Sequence, residues 1–472
     1  MDSFIFVSLC ILLWLLPLPF GGNIEWAVLG LEVTVWVLFL VYLISLLKRK
    51  PAVVPAVDRG RLRPVYFLTG LFFLVALVQI LPWPEPLVRT LSPVTWSWRQ
   101  SLAQTGLFES AEFRAQTFSL SPWASAYELV RYLSYAAFVF LLSRTLTSRT
   151  RVKALTLTLV SAGVFQSLYG LSEFFGGTNR IFTWVNRHYS GSAFGTFVNR
   201  DHYSAFLEML FPLSLGYFLV RAEFFSLKPG LSWRQKMARF GQEQVQKSLL
   251  FIIPPLIIGL GLFFSRCRSG IIIFIVTFFL TLLLLSVAGI SGRHKTEKRL
   301  VRVVVLLVLL GVVLVGIGPV LERFAQGGFF DRNRLLFYTY TLDLISDYPL
   351  VGCGLGTYVQ AINHYLLKDF NVILTHAHND YLEMLAEAGL VGGLALVLAA
   401  ILGFALALRG WLKSHDPLAK GVGLGALMGV FAILFHSLTD FSLRMPGNAL
   451  LWLSLFVLAV KAPVILEKRE EP

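Results

Sequence analysis

Uninterrupted apolar runs recur along the whole chain, each about 20 residues long and able to cross a hydrocarbon core of roughly 30 Å. They predict twelve membrane-spanning helices, over residues 3–20, 26–47, 65–82, 125–143, 154–175, 203–220, 248–266, 270–290, 303–320, 388–408, 421–438 and 449–466. The runs are continuous and show no dyad alternation, which excludes a transmembrane β-barrel. The expected fold class is therefore an all-α polytopic membrane protein. The first run has no basic segment before it, so it reads as a retained span; cleavage after Gly21-Gly22 is the alternative.

Polar positions between the runs give the topology. Basic residues cluster at Lys48 to Arg63, Arg144 to Lys153, Arg221 to Lys247, Arg293 to Arg302 and Arg409 to Lys420. These blocks follow every second span, as cytoplasmic loops require, and put both termini in the cytoplasm. The net charge of +14 thus reads as topology and not as a nucleic-acid surface. Only 14% of residues are charged against 56% hydrophobic, where ordinary soluble domains carry about 25% charged residues. Three outer segments exceed simple turns: 83–124, 176–202 and 321–387. Long loops are uncommon unless functional. They divide the chain into N-terminal helices at 1–175, a core at 176–408 that includes the loop 321–387, and C-terminal helices at 409–472.

Candidate chemistry gathers at the outer ends of the spans. Thr375 to Gly392 sets His376, His378, Asn379 and Asp380 at the entrance to an apolar helix, and titratable residues beside hydrocarbon are functional candidates. On a helix starting near His378, Leu382, Leu385 and Gly389 share a face. Gly389 with Gly393, and Ala388 with Gly392, form small-residue pairs that admit a neighbouring helix. His378 is then a candidate general base, oriented by Asn379 or Asp380; a capping Asn/Asp beside an interfacial histidine is the plainer reading. A metal site from His376, His378 and Asp380 lacks a fourth ligand at a recognisable spacing. In the turn Ser265 to Gly270, Arg266 and Arg268 break the positive-inside pattern and suit a diphosphate, whose oxygens a guanidinium binds in a fork. Headgroup contact is the alternative for either one.

Residues 334–345 read as an amphipathic helix in the membrane surface, ended by Asp347-Tyr348-Pro349 and contributing Arg334. Gly352 to Tyr358 reads as a tight turn, or else as a backbone nest for phosphate. Gly195 to His202 offers Asn199 and His202 to the same cavity. Glu128 with Arg131, and His436 with Asp440 and Arg444 at helical spacing, read as structural pairs. Cys10, Cys267 and Cys353 form no disulfide framework, although the last two lie on one side and could bridge.

These residues resemble the O-antigen ligase and polymerase superfamily of bacterial envelope glycosyltransferases. His378, Asn379, Gly389 and Gly392 meet that family's ligase pattern of His, then Asn, Ser or Gln, nine residues, Gly, two residues, and Gly, Thr or Tyr. Cys267 to Gly270 is similar to its Ser-Arg-Ser/Gly turn, with cysteine for serine. Arg334 to Tyr338, followed by Pro349, Gly352 and Gly354, is similar to its Arg-x3-Trp and Pro-x2-Gly-x-Gly elements, with tyrosine for tryptophan. The Gly-Thr-Phe-x-Asn element recurs at Gly195 to Asn199. The specific resemblance covers about 195–395.

The resemblance implies a GT-C-type fold in the bacterial inner membrane with its active site on the periplasmic face. It implies transfer of a glycan from undecaprenyl diphosphate to lipid A-core or to a growing glycan, without metal, nucleotide sugar or other cofactor. His378, Arg268 and Arg334 would be catalytic, and Arg266, Asn379, Asp380, Asn199 and His202 would bind substrate. Ligase is the leading expectation and a polymerase the nearest alternative. A transporter or flippase would instead need charge through the spans and broken helices at mid-membrane.

Overall fold

The computed structural model describes residues 1–47, 59–105, 116–221, 250–287, 332–366 and 373–467. In chain order its helices are α1 (Asp2–Leu15), α2 (Glu25–Leu47), α3 (Arg59–Ile80), α4 (Glu85–Leu91), α5 (Pro93–Gln104), α6 (Pro122–Thr145), α7 (Arg149–Gly176), α8 (Arg200–Arg221), α9 (Ile253–Phe264), α10 (Arg268–Val287), α11 (Arg332–Asp347), α12 (Tyr358–Ile362), α13 (Asp380–Lys413), α14 (Pro417–His436) and α15 (Pro446–Glu467). A short hairpin, β1 (Arg180–Ile181) and β2 (Trp184–Val185), lies between α7 and α8.

Every predicted span except 303–320 falls wholly or largely on one of these helices; that one, with 248–249 and 288–290, lies outside the described residues. Among the described residues, seven helices have the length and apolarity to cross a membrane: α2, α3, α7, α8, α13, α14 and α15. Helices α1, α9 and the apolar part of α10 are shorter. The chain is a multi-pass, all-α membrane protein.

Local chemistry sets the helix ends. Ser121 and Ser148 cap α6 and α7, and Asp416 caps α14 by accepting from the Ala419 amide. Pro122 and Pro417 sit in the first turns, where their missing N–H costs nothing. Gly177 closes α7 in the left-handed conformation.

Helices α8 and α14 form the centre, with 89% and 83% of their apolar windows inside the protein, against 22% for α3. Their contact is made by backbone. Gly421, Gly425 and Gly429 recur every four residues on α14 and face Gly216, Pro212 and Met209 of α8; a Cβ on Gly425 would lie 2.5 Å from the Pro212 carbonyl oxygen. Small residues at this spacing let membrane helices meet closely. Gly425→Leu is expected to separate the pair and lower the thermal midpoint of the detergent-solubilised protein by several degrees, measured beside Gly30→Leu, whose added side chain meets open space.

The two ends of the bundle differ. At one end Arg149 pairs with Asp416 at 2.6 Å, Lys461 donates to the Ser143 carbonyl, Arg151 reaches Ser3, and Glu467 accepts from Ser414. The start of α1, the end of α15 and the basic segments 144–153 and 409–420 meet there. At the other end, Thr196 donates to the Pro17 carbonyl, Ala193 to that of Phe264, and Asn448 to that of His202. All the candidate residues lie at this second end.

One helix departs from expectation. Helix α13 runs through 34 residues but is broken at Gly389, where φ is 65° and ψ 179°. Gly389 is therefore not a helix-packing position. It and Gly352 face each other across a strap, 349–354, which bonds along the break: Leu390 N–H to Pro349, Cys353 N–H to Ala386 and Gly354 N–H to Glu387. Gly392 does meet a neighbour, Val75 of α3. The strap is tied from outside by Gln79, which donates to the Val351 and Glu387 carbonyls and accepts from Leu355 N–H. Segment 116–120 joins it through Leu120 N–H to Cys353, so this part of the 83–124 region is scaffold. An alanine at 389 would occupy a backbone conformation, φ 65° and ψ 179°, that essentially only glycine adopts, and would meet the Leu350 carbonyl. Gly389→Ala is accordingly expected to cost at least about 1–3 kcal/mol.

Candidate functional site

Five segments converge: the first turn of α8, the turn before α10, α11, the approach to α13, and the loop 437–446 between α14 and α15. Each has its own lock. Asn199 caps α8 through the Asp201 amide, and Asn379 caps α13 by accepting from the Tyr381 and Leu382 amides while donating to the Leu438 carbonyl. Asp380 accepts from Ser437 Oγ and Leu443 N–H, and its own amide donates to the Ser437 carbonyl. Each of these three side chains is engaged by the protein itself.

Asp440 is the hub. It is wholly buried, with Oδ1 3.2 Å from His378 Nδ1 and Oδ2 3.4 Å from His202 Nε2. Ser442 Oγ lies 3.2 Å from Oδ2 and His436 Nε2 4.0 Å from it. Burial alone would raise its pKa, but the neighbouring His202, the hydrogen bond from His378 and the charges of Arg334 and His436 hold the carboxyl well below the usual carboxylate range. An ionised carboxylate only accepts, so Nδ1 of His378 carries the proton and Nε2 is left as the basic nitrogen. The His378 side chain is 27% exposed, and Nε2 has no hydrogen bond among the described residues. The backbone of His378 is left-handed, φ 52°, as is that of Arg266, φ 53°. Such conformations persist where surrounding structure imposes them, and they cluster at active sites. Here Tyr338 donates to the His378 carbonyl at 3.0 Å.

Arg334 pairs with Asp201 at 3.0 Å, bonds the Thr439 carbonyl, and remains 26% exposed. It thus sits beside the same loop as His378. The turn carrying Arg266 and Arg268 packs on α8, with Gly270 against Ser204 and Glu208. Arg268 is half-buried at the start of α10, while the Arg266 guanidinium lies 5.4 Å over the Phe174 ring, directed towards the end of α7. Cys267 and Cys353 are buried free thiols, so the possible bridge is not formed.

Below this surface is an inner charged layer. His436 Nδ1 lies 3.0 Å from both Glu208 oxygens, and Ser204 donates to Glu208. Arg444 is held by Glu383 at 3.1 Å and Glu387 at 2.6 Å. His376 contacts Glu383 at 2.8 Å; burial lowers its pKa, but the Glu383 charge and hydrogen bond outweigh that and raise it overall. The Phe441 ring organises the three histidines, stacked on His376 at 4.0 Å and edge-on to His202 and His378 at 4.7 and 5.0 Å. Arg444→Ala would remove the cation that two buried carboxylates share and is expected to cost about 3–5 kcal/mol, read as a large drop in the thermal midpoint.

The structure bears on three further readings. His202 is buried behind Asp440 and not in the open site. His376, His378 and Asp380 each face a different partner and share no point at which all three would hold a metal. The amides of Gly352, Cys353, Gly354 and Leu355 are all occupied by protein acceptors, which leaves the tight turn in place of a phosphate nest. Helix α11 and its stop near Pro349 follow the sequence reading, as does the Glu128–Arg131 pair at 2.7 Å. His436, Asp440 and Arg444 do not share a helix face, because α14 ends at His436. The missed residues are Asp440 as hub, Asp201, and the carboxylates Glu208, Glu383 and Glu387. For Glu208 the available signal was an acidic residue inside an otherwise apolar span; the others stand just beyond the span ends.

No curated protein matches the chain. A family model described as O-antigen ligase matches residues 255–397, a stretch that contains Arg266, Arg268, Arg334 and His378 and excludes Asp201 and Asp440. Over that segment, the chain is similar to the O-antigen ligase family.

Proposed function

We propose that the protein is a ligase-type glycosyltransferase that moves a glycan from undecaprenyl diphosphate to an acceptor hydroxyl, lipid A-core being the acceptor the ligase pattern favours. The observation that carries this reading is the His378 ring, with Nε2 unengaged among the described residues and Nδ1 fixed by buried Asp440, whose loop also receives Arg334. His378 Nε2 takes the proton of the acceptor hydroxyl as its oxygen attacks the anomeric carbon. The bond from that carbon to the carrier phosphate breaks with inversion, and the electron pair leaves on the diphosphate. Arg334 and Arg268 stabilise the charge gathering there, with Arg266 as a further contact to the anionic donor. Diphosphate leaves readily without a general acid, and the proposal needs no metal. The basic end of the bundle supports a cytoplasmic assignment for that end, and with it the proposal of a site on the periplasmic face of the inner membrane; the GT-C-type arrangement is what the family resemblance implies.

The test is complementation of a strain lacking the protein with His378→Ala, Arg334→Ala and Arg268→Ala, followed by gel analysis of lipopolysaccharide. Loss of surface glycan with accumulation of full-length lipid-linked polymer is expected. Single repeat units left on the acceptor would identify a polymerase instead. Unchanged glycan attachment and chain length in all three expressed variants would overturn the site.

A further inference from the structure

The hairpin β1–β2 begins four residues after the end of α7, a helix long and apolar enough to cross the membrane, and so stands at the boundary between hydrocarbon and headgroups. It is rigidly mounted. Glu173 Oε2 accepts from the Arg180 amide at 2.8 Å and from Thr178 Oγ1; Tyr169 Oη accepts from the Phe182 amide at 2.7 Å and donates to the Arg180 carbonyl. Trp184 rests edge-on against Phe20. Yet its outer face is left uncovered, with Phe175, Phe182, Trp184 and Val185 exposed by 63, 53, 40 and 44%.

The tip is unusual. Ile181 and Trp184 form the closing pair, and Phe182 between them has φ 55°. Two-residue hairpin turns place glycine or asparagine at such positions. An aromatic held there, with its ring in the open, is a strained conformation that soluble packing does not explain. Beside these rings Arg180, Arg187 and His188 are exposed. Arg187 and His188 line a pocket of about 450 Å³ with Thr183, Trp184 and Val185. Aromatic rings at a span's end sit at headgroup level, and exposed guanidinium groups beside them match phosphate.

We infer that this hairpin is a binding platform for phosphate-bearing lipid headgroups in the leaflet on the site's side, with Phe182 and Trp184 seated among the headgroups and Arg180 and Arg187 on the phosphates. The same chain leads inward: Tyr189 packs against the Arg200 guanidinium at 5.4 Å, Arg200 donates to Ser192, and Asn186 donates to the Val198 carbonyl. The segment 186–199 thus joins the hairpin to the first turn of α8, where Asp201 pairs with Arg334. The inference does not depend on His378 being the base.

The three native cysteines are buried, so Thr183→Cys accepts a bimane label selectively at the exposed turn. The full chain carrying it is reconstituted in vesicles of phosphatidylcholine alone or with phosphatidylglycerol, with brominated lipid as quencher. Quenching at headgroup depth is expected in both, rising with phosphatidylglycerol and falling again at high salt. Each arginine should contribute roughly a fivefold local enrichment of anionic lipid. Arg180→Glu with Arg187→Glu should remove the phosphatidylglycerol-dependent rise and keep the quenching in phosphatidylcholine, which also reports a folded hairpin. A label in water in both compositions, or quenching indifferent to anionic lipid and to both arginines, overturns the inference.

Discussion

His378→Ala is expected to lower the rate of glycan transfer by roughly 10²–10⁴-fold, the usual contribution of a positioned base. The fold should survive the change. Asp440 loses one of its partners but keeps His202 and Ser442, and the His378 side chain is part exposed, so no large cavity opens. His378→Gln separates two roles. Glutamine can still donate towards Asp440 but cannot take a proton, so a base predicts a loss as deep as alanine's, whereas a purely positioning residue predicts substantial rescue. Asp440→Asn should impair the reaction from behind, because an amide can present either a donor or an acceptor to Nδ1 and no longer dictates which ring nitrogen is basic. Assays of donor consumption by purified, reconstituted variants read all three.

The second large effect belongs to Arg334. Its alanine variant removes a cation from the position where leaving-group charge would build, and loss of one such preorganised donor typically costs about 10²–10³ in turnover. Asp201 is also left without its 3.0 Å partner, so a drop in thermal midpoint should accompany the loss. Arg334→Lys sorts these contributions. Lysine keeps the charge near Asp201 but not the two-armed geometry that now spans Asp201 and the Thr439 carbonyl. Recovered stability with activity still depressed marks the guanidinium as a binding fork. Recovery of both would reduce Arg334 to a point charge.

Much of the architecture was legible from hydropathy, because a backbone in hydrocarbon must satisfy its own hydrogen bonds and does so in long apolar helices. His378 and Arg334 were legible for a related reason: polar groups at the ends of such helices are expensive to keep. What lay beyond reading was how distant segments share a charge. Asp440 was spaced as a helical neighbour of His436, and only the end of α14 at His436 turns it away to face His202 and His378. The partners themselves come from opposite parts of the chain, such as Asp201 for Arg334. Gly389 misled in the opposite direction, since a small residue in an apolar run reads equally as a packing position or as a break. The strap that decides between these, 349–354, is recognisable only once it is seen bonded along α13. Gly421, Gly425 and Gly429 carried the packing signal that Gly389 did not.

His378 is the group proposed to take the acceptor's proton at a site with a diphosphate leaving group. The most direct measurement reconstitutes wild type and His378→Gln in lipid nanodiscs with a lipid-diphosphate-linked glycan and a hydroxyl-bearing acceptor, and follows joined product and freed carrier diphosphate together. Wild type should release one carrier for each glycan joined, and His378→Gln, with an unchanged thermal midpoint and retained donor binding, should release almost none. Transfer by His378→Gln at the wild-type rate would contradict the account.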